Sequence, residues 1–179
     1  QDNLDAVESA PFHFVGSLVP TQHQDLLAIG RERFVSLAEQ GLPGASSVRV
    51  NKTVFGQQRT VLVVFNENLL VAQSQTLLRE IGKRQQWLHE LVASLQAARD
   101  RPPRGGKPTV EAVQKKVNSW LSAQHMRHLF QVQVNEREGL PDVTYHLDQE
   151  AWQKLQDDLL GKTILFTDND DWTDAEIVR

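Results

Sequence analysis

A seven-residue periodicity constrains this chain more than anything else in it. On a heptad started at Leu70, the a positions are Leu70, Leu77, Arg84, Leu91 and Ala98, and the d positions are Ser74, Ile81, Leu88 and Leu95. Seven of these nine are apolar, while Arg79, Glu80, Lys83, Gln85, Gln86 and Glu90 fill the other faces. Such a stripe predicts a helix packed lengthwise on another helix. Running from Glu67 to Arg99, it would reach roughly 50 Å. Val110, Val113, Val117, Trp120 and Leu121 then recur at helical spacing behind Thr109, a good N-cap, which predicts a second helix continuing toward His125. The loop between them, 100–108, is rich in Pro, Gly and basic residues. Two helices closing on so short a loop form an αα-hairpin.

The rest of the chain reads as a mixed α/β body interrupted by this arm. After an opening helical segment, Asp2–Ser9, Pro11 breaks the pattern and Phe12–Val19 reads as a mostly buried strand. A short helix is expected around Asp25–Ile29, and Arg33–Ala38 reads equally as helix or loop. Ser47–Phe55 and Arg59–Phe65 form a β-hairpin turning at Gly56–Gln58. Beyond the arm, Phe130–Val134 alternates with period two and can pair with Asp142–Leu147 across Asn135–Pro141. Asp148 caps a helix carrying Trp152, Leu155, Leu159 and Leu160, and Gly161 ends it. Thr163–Thr167 is a short buried strand, and Thr173 caps a closing helix with acids in its first turn. The expected division is a body with strand and hairpin over 1–66, an inserted helical-hairpin arm over 67–129, and a hairpin, helix and strand returning to the body over 130–179. Helices under way at both ends read as those of a piece cut from something larger.

Composition narrows the function classes. The absence of cysteine among 179 residues excludes disulfides and thiolate metal sites and leans toward a cytoplasmic protein. No window approaches the apolar length needed to cross a bilayer. A net charge of −4 gives no general pull toward nucleic acid, so any basic surface must be local. The densest one is the arm loop. There Arg99, Arg101, Arg104 and Lys107 stand against the single acid Asp100, with Lys115 and Lys116 just beyond. These six are candidate contacts to nucleic-acid phosphates; the plainer reading is a charged, solvated loop.

Asp168, Asp170, Asp171 and Asp174 follow a buried strand and precede a helix, a place where ligands sit in α/β sheets and where carboxylates can hold Mg²⁺. Trp172 at the fifth position spoils a calcium loop, and acids are favoured at a helix N-terminus by its dipole alone. His125 and His128 share a helical face by spacing but have no adjacent ligand partner. No nucleophile motif and no Gly-rich phosphate loop is present.

The closing segment 161–179 resembles one found in bacterial insertion-sequence transposases of the DDE type. Pro11–Pro20 followed by Gln22, His23, Asp25 and Leu26 agrees, as do Gln124–Met126 with Phe130, and Phe65-Asn66 leading into the arm. The resemblance covers essentially the whole chain. It implies a ribonuclease H-like catalytic fold in which three carboxylates bind two divalent metals for DNA strand cleavage and transfer. It also implies that the second catalytic Asp precedes Gln1, that the catalytic Glu follows Arg179, and that the first Asp lies further upstream. No catalytic and no metal-binding residue is therefore expected here. Mg²⁺ is implied only for the intact parent, and the piece alone is expected to be inactive, with transposon-end DNA as the parent's partner. Two other readings stand beside it. The arm can act as a protein-interaction or homodimerisation module through its Leu/Ile seam, or the acids at 168–174 can serve an independent metal-dependent hydrolase.

Overall fold

The computed structural model describes residues 12–100 and 106–179. The opening segment Asp2–Ser9 lies outside them. The described chain combines helices with antiparallel sheets, as the mixed α/β pattern predicts. It divides into two compact units, one built from the chain up to Ser74 and from Leu155 onward, the other from Gln75–Lys154. Among the described residues, no helix is long and apolar enough to cross a membrane.

The first unit is a five-stranded sheet. Its strands are β1 (Val15–Leu18), β2 (Val35–Ser36), β3 (Ala45–Val54), β4 (Gln57–Asn66) and β7 (Lys162–Thr167), in the order β1-β7-β4-β3-β2, every neighbouring pair antiparallel. At its centre, Val61, Leu62, Val63 and Val64 are all buried, the unbroken apolar run of a strand covered on both faces. Val48, Val61, Val63, Ile164, Phe166 and Leu18 pack on one face with Leu26 and Leu27 of helix α1 (Gln24–Leu27). On the other, Leu62 and Val64 meet Ile177 of helix α6 (Asp174–Val178), with Leu165, Trp172 and Val178 around them. Each such side chain withdrawn from water contributes about 1.5–3 kcal/mol.

Three local expectations shift. The segment 33–38 is neither simply helix nor loop: a 3₁₀ turn, Arg31–Arg33, leads into the two-residue β2, and a second, Ala38–Gln40, follows it. The β3–β4 hairpin turns on Phe55-Gly56, not on Gly56–Gln58, with both residues at positive φ (51° and 83°). That is the two-residue turn whose twist matches the strands it joins. The helix expected to carry Leu159 and Leu160 up to Gly161 ends at Asp158. Gly161, at φ 77°, donates its amide to Gln73 at 2.8 Å, and a Cβ there would come within 2.8 Å of the Phe65 ring and 3.0 Å of the Asn66 carbonyl.

The second unit holds the arm. Helix α2 runs from Glu67 to Asp100, and its buried residues Ile81, Leu88 and Leu95 recur every seven positions. All nine seam positions are buried or half-buried. Helix α3 (Val110–Trp120) turns Val113 and Val117 inward, and Thr109 caps it by accepting the Ala112 amide at 3.2 Å. The antiparallel course shows in stacked Trp87 and Trp120, with ring centroids 4.9 Å apart. Arg84 also lies 5.2 Å from the Trp120 ring. The second helix stops at Trp120 rather than reaching His125, whose φ of 67° cannot continue a helix. His125 instead precedes the short helix α4 (Met126–Leu129), so it and His128 do not share one helical face.

Strands β5 (Phe130–Arg137) and β6 (Leu140–Leu147) form a hairpin closed by Glu138-Gly139, a tighter turn than the expected 135–141 loop. It packs with the arm helices rather than with the sheet unit, Arg99 pairing with Asp142 at 2.7 Å. Asp148 caps helix α5 (Gln149–Asp158) by accepting the Ala151 amide at 2.9 Å.

Candidate functional site

The acidic turn between β7 and α6 is held by strands β3 and β4 and by the segment leading into β1. Asp168 accepts the Phe14 amide at 3.0 Å and faces His13 Nδ1 at 3.3 Å. Burial alone would raise its pKa, but these donors outweigh it and hold the carboxyl below its ordinary value. Asp170 accepts from the Thr60 hydroxyl at 2.6 Å. Asp174 accepts from Ser47 at 2.6 Å and from Arg49 Nε at 2.8 Å. The other two guanidinium nitrogens of Arg49 donate to the carbonyls of Asp170, at 3.2 Å, and Trp172. Thr173 and Glu176 complete a reciprocal capping box, which also holds the Glu176 carboxyl below its ordinary value.

Every carboxylate here except that of Asp171 is therefore tied to a protein donor. Their donors come from the residue before β1 and from strands β3 and β4. Among the described residues, no group of three or more His, Cys, Asp or Glu side chains is placed to hold a metal. What the arrangement does is seat the first turn of α6 on the sheet. Sequence reasoning placed the acids correctly but missed Ser47, Arg49 and Thr60, which lie more than 100 positions upstream and carry no local signal.

The basic candidates separate. Arg101 and Arg104 lie outside the described residues. Arg99 is committed to the unit's own structure: its guanidinium donates to Gln96 at 2.9 Å, the Pro141 carbonyl at 2.9 Å and Asp142 at 2.7 Å. Its side chain is only 12% exposed. Lys107, Lys115 and Lys116 are exposed. Lys116 stands at the rim of an open groove of about 340 Å³ between α2 and α3, whose floor includes Leu91, Leu95 and Val113. Of the Leu/Ile seam of α2, Ile81, Leu88 and Leu95 are buried within the second unit, Leu88 being 0% exposed.

Comparison with protein-family models, with curated proteins and with solved structures yields no match to any of them.

Proposed function

We propose that this chain is a segment of a DDE-type insertion-sequence transposase, supplying part of a ribonuclease H-like layer and a helical arm that contacts DNA. The reading takes the three metal-binding carboxylates to lie outside the chain, so the segment does not cut DNA by itself. The observation that carries it is the pairing of β1 with β7, Val15 opposite Thr167, across the inserted unit. Such an insertion leaves the sheet continuous, and the arm carries exposed cations. Lys107, Lys115 and Lys116 are the contacts the reading rests on, each adding about 0.9 to the salt dependence of binding. Arg99 serves the arm from within.

The test is fluorescence anisotropy of a labelled duplex with the full chain across a salt series. Reversing Lys107, Lys115 and Lys116 together to Glu is expected to weaken binding at low salt and flatten the salt slope by roughly two to three. Unchanged binding and slope overturn the arm as a DNA contact. Magnesium-dependent nicking of plasmid by the purified chain overturns the placement of the carboxylates.

A further inference from the structure

Ser36, Ser46, Phe65 and Lys162 form one row across the five-stranded sheet, each directly opposite the next. Direct partners in an antiparallel sheet present their side chains on the same face. The row therefore sets two hydroxyls beside an aromatic ring where β4 runs into α2. Arg31, from the 3₁₀ turn before β2, lies over this row with its guanidinium carbon 4.4 Å from the Phe65 centroid. Stacking fixes the guanidinium plane but uses none of its five N–H donors. Among the described residues the Arg31 guanidinium forms no hydrogen bond or ion pair, and the Ser46 hydroxyl forms no hydrogen bond either. Ser36 Oγ accepts the Ala38 amide at 3.3 Å, which leaves its own proton to donate.

These groups open on a cleft of about 330 Å³, whose far wall carries the Glu67 carboxylate. The rim is held in place. Gly44, at φ 74°, turns its carbonyl to accept the Glu67 amide at 2.9 Å. At the end of the row Lys162 is buried, with Nζ donating to the Leu27 carbonyl at 2.8 Å.

We propose that this cleft binds a phosphate ester. The Arg31 fork and the hydroxyls of Ser36 and Ser46 donate to the phosphate oxygens, and Glu67 accepts from an N–H or O–H of the group the phosphate is attached to. A planar guanidinium held by its face, with its donor edge unfilled, is suited to bidentate phosphate recognition. Glu67 repels a second anion and favours a ligand that carries donors beyond its phosphate, so an ester binds better than the bare ion. The cleft volume lies at the lower end of small-molecule sites, the size of one nucleotide. The phosphate can come from a free nucleotide or from the backbone of a DNA strand; only the second source rests on the function proposed above.

Amide resonances of Gly44, Ser46 and Phe65 in the full chain report occupancy. Inorganic phosphate, deoxyadenosine monophosphate and a short single-stranded oligonucleotide serve as probes. The ester is expected to shift these resonances saturably and at lower concentration than inorganic phosphate. Arg31→Gln should weaken it roughly ten-fold, and Ser46→Ala, which leaves the charge in place, about three-fold. Shifts from the oligonucleotide at the same amides identify a nucleic-acid backbone as a source; shifts from the mononucleotide alone identify a free nucleotide. No saturable shift from either ester, or equal affinity in both variants, overturns the site. The triple arm reversal, Lys107, Lys115 and Lys116 to Glu, should leave the mononucleotide shifts unchanged, so failure of the arm and failure of the cleft are read separately.

Discussion

Arg49 spans more sequence than any local rule can see. From the middle of β3 it reaches three acceptors on a turn more than 120 positions away, and it does so with its fork filled. A lysine offers one point charge in place of three arranged donors. Arg49→Met is expected to lower stability by about 2 kcal/mol, because it leaves the half-buried Asp174 carboxylate without its cation. Hydrogen exchange at Ala175–Ile177 should rise with it, since α6 is only five residues long and depends on its seat. Arg49→Lys should recover less than half of the loss. Thermal unfolding and amide exchange indistinguishable from the parent chain would show that the turn holds itself, through the Thr173–Glu176 capping box alone.

Among the elements, α2 was the most legible and the hairpin turns the least. The heptad works because a seven-residue repeat keeps one face of a helix on its neighbour. Ile81, Leu88 and Leu95 are accordingly its most buried side chains. Leu88→Ala removes a side chain with no exposed surface and should cost about 2–5 kcal/mol, measured by denaturant unfolding. A cost below about 1 kcal/mol would mean that the seam is loosely packed and free to collapse. The turns were misplaced for a physical reason. Phe55 and Glu138 adopt positive φ, 51° and 56°, where Asn, Asp or Gly is the usual signal. Strand pairing on both sides enforces a conformation that those residues do not favour by themselves.

Across the described residues, the resolved ionisation shifts act in one direction. The carboxyls of Asp25, Glu80, Asp148, Asp168 and Glu176 all lie below their ordinary values. The cause is a lysine for two of them, Lys52 for Asp25 and Lys83 for Glu80, and amide donors for the other three, with the Phe14 amide and His13 offsetting burial at Asp168. A carboxyl held low contributes stability that is present above its unfolded value and lost as pH falls through the folded one. Burial, and then His128, hold His125 below its ordinary value, so charging it also opposes folding. The thermal midpoint should therefore fall from about pH 6.5 and drop more steeply below about pH 4.5. A midpoint that rises on acidification would reverse the sign and remove these pairings as its cause. By itself the sequence determined the elements whose information is local: the α2 seam, the caps at Thr109, Asp148 and Thr173, and the strand alternations. Only the tertiary structure decided that hairpin β5–β6 belongs with the arm, that Arg99 is spent on Asp142, that Asp168, Asp170 and Asp174 accept from Phe14, Thr60, Ser47 and Arg49, and that Arg31 meets Ser36, Ser46 and Phe65 at a cleft. Periodicity and capping are written within one or two turns of chain. Which side chains meet across a sheet depends on strand order and register, which no short window contains.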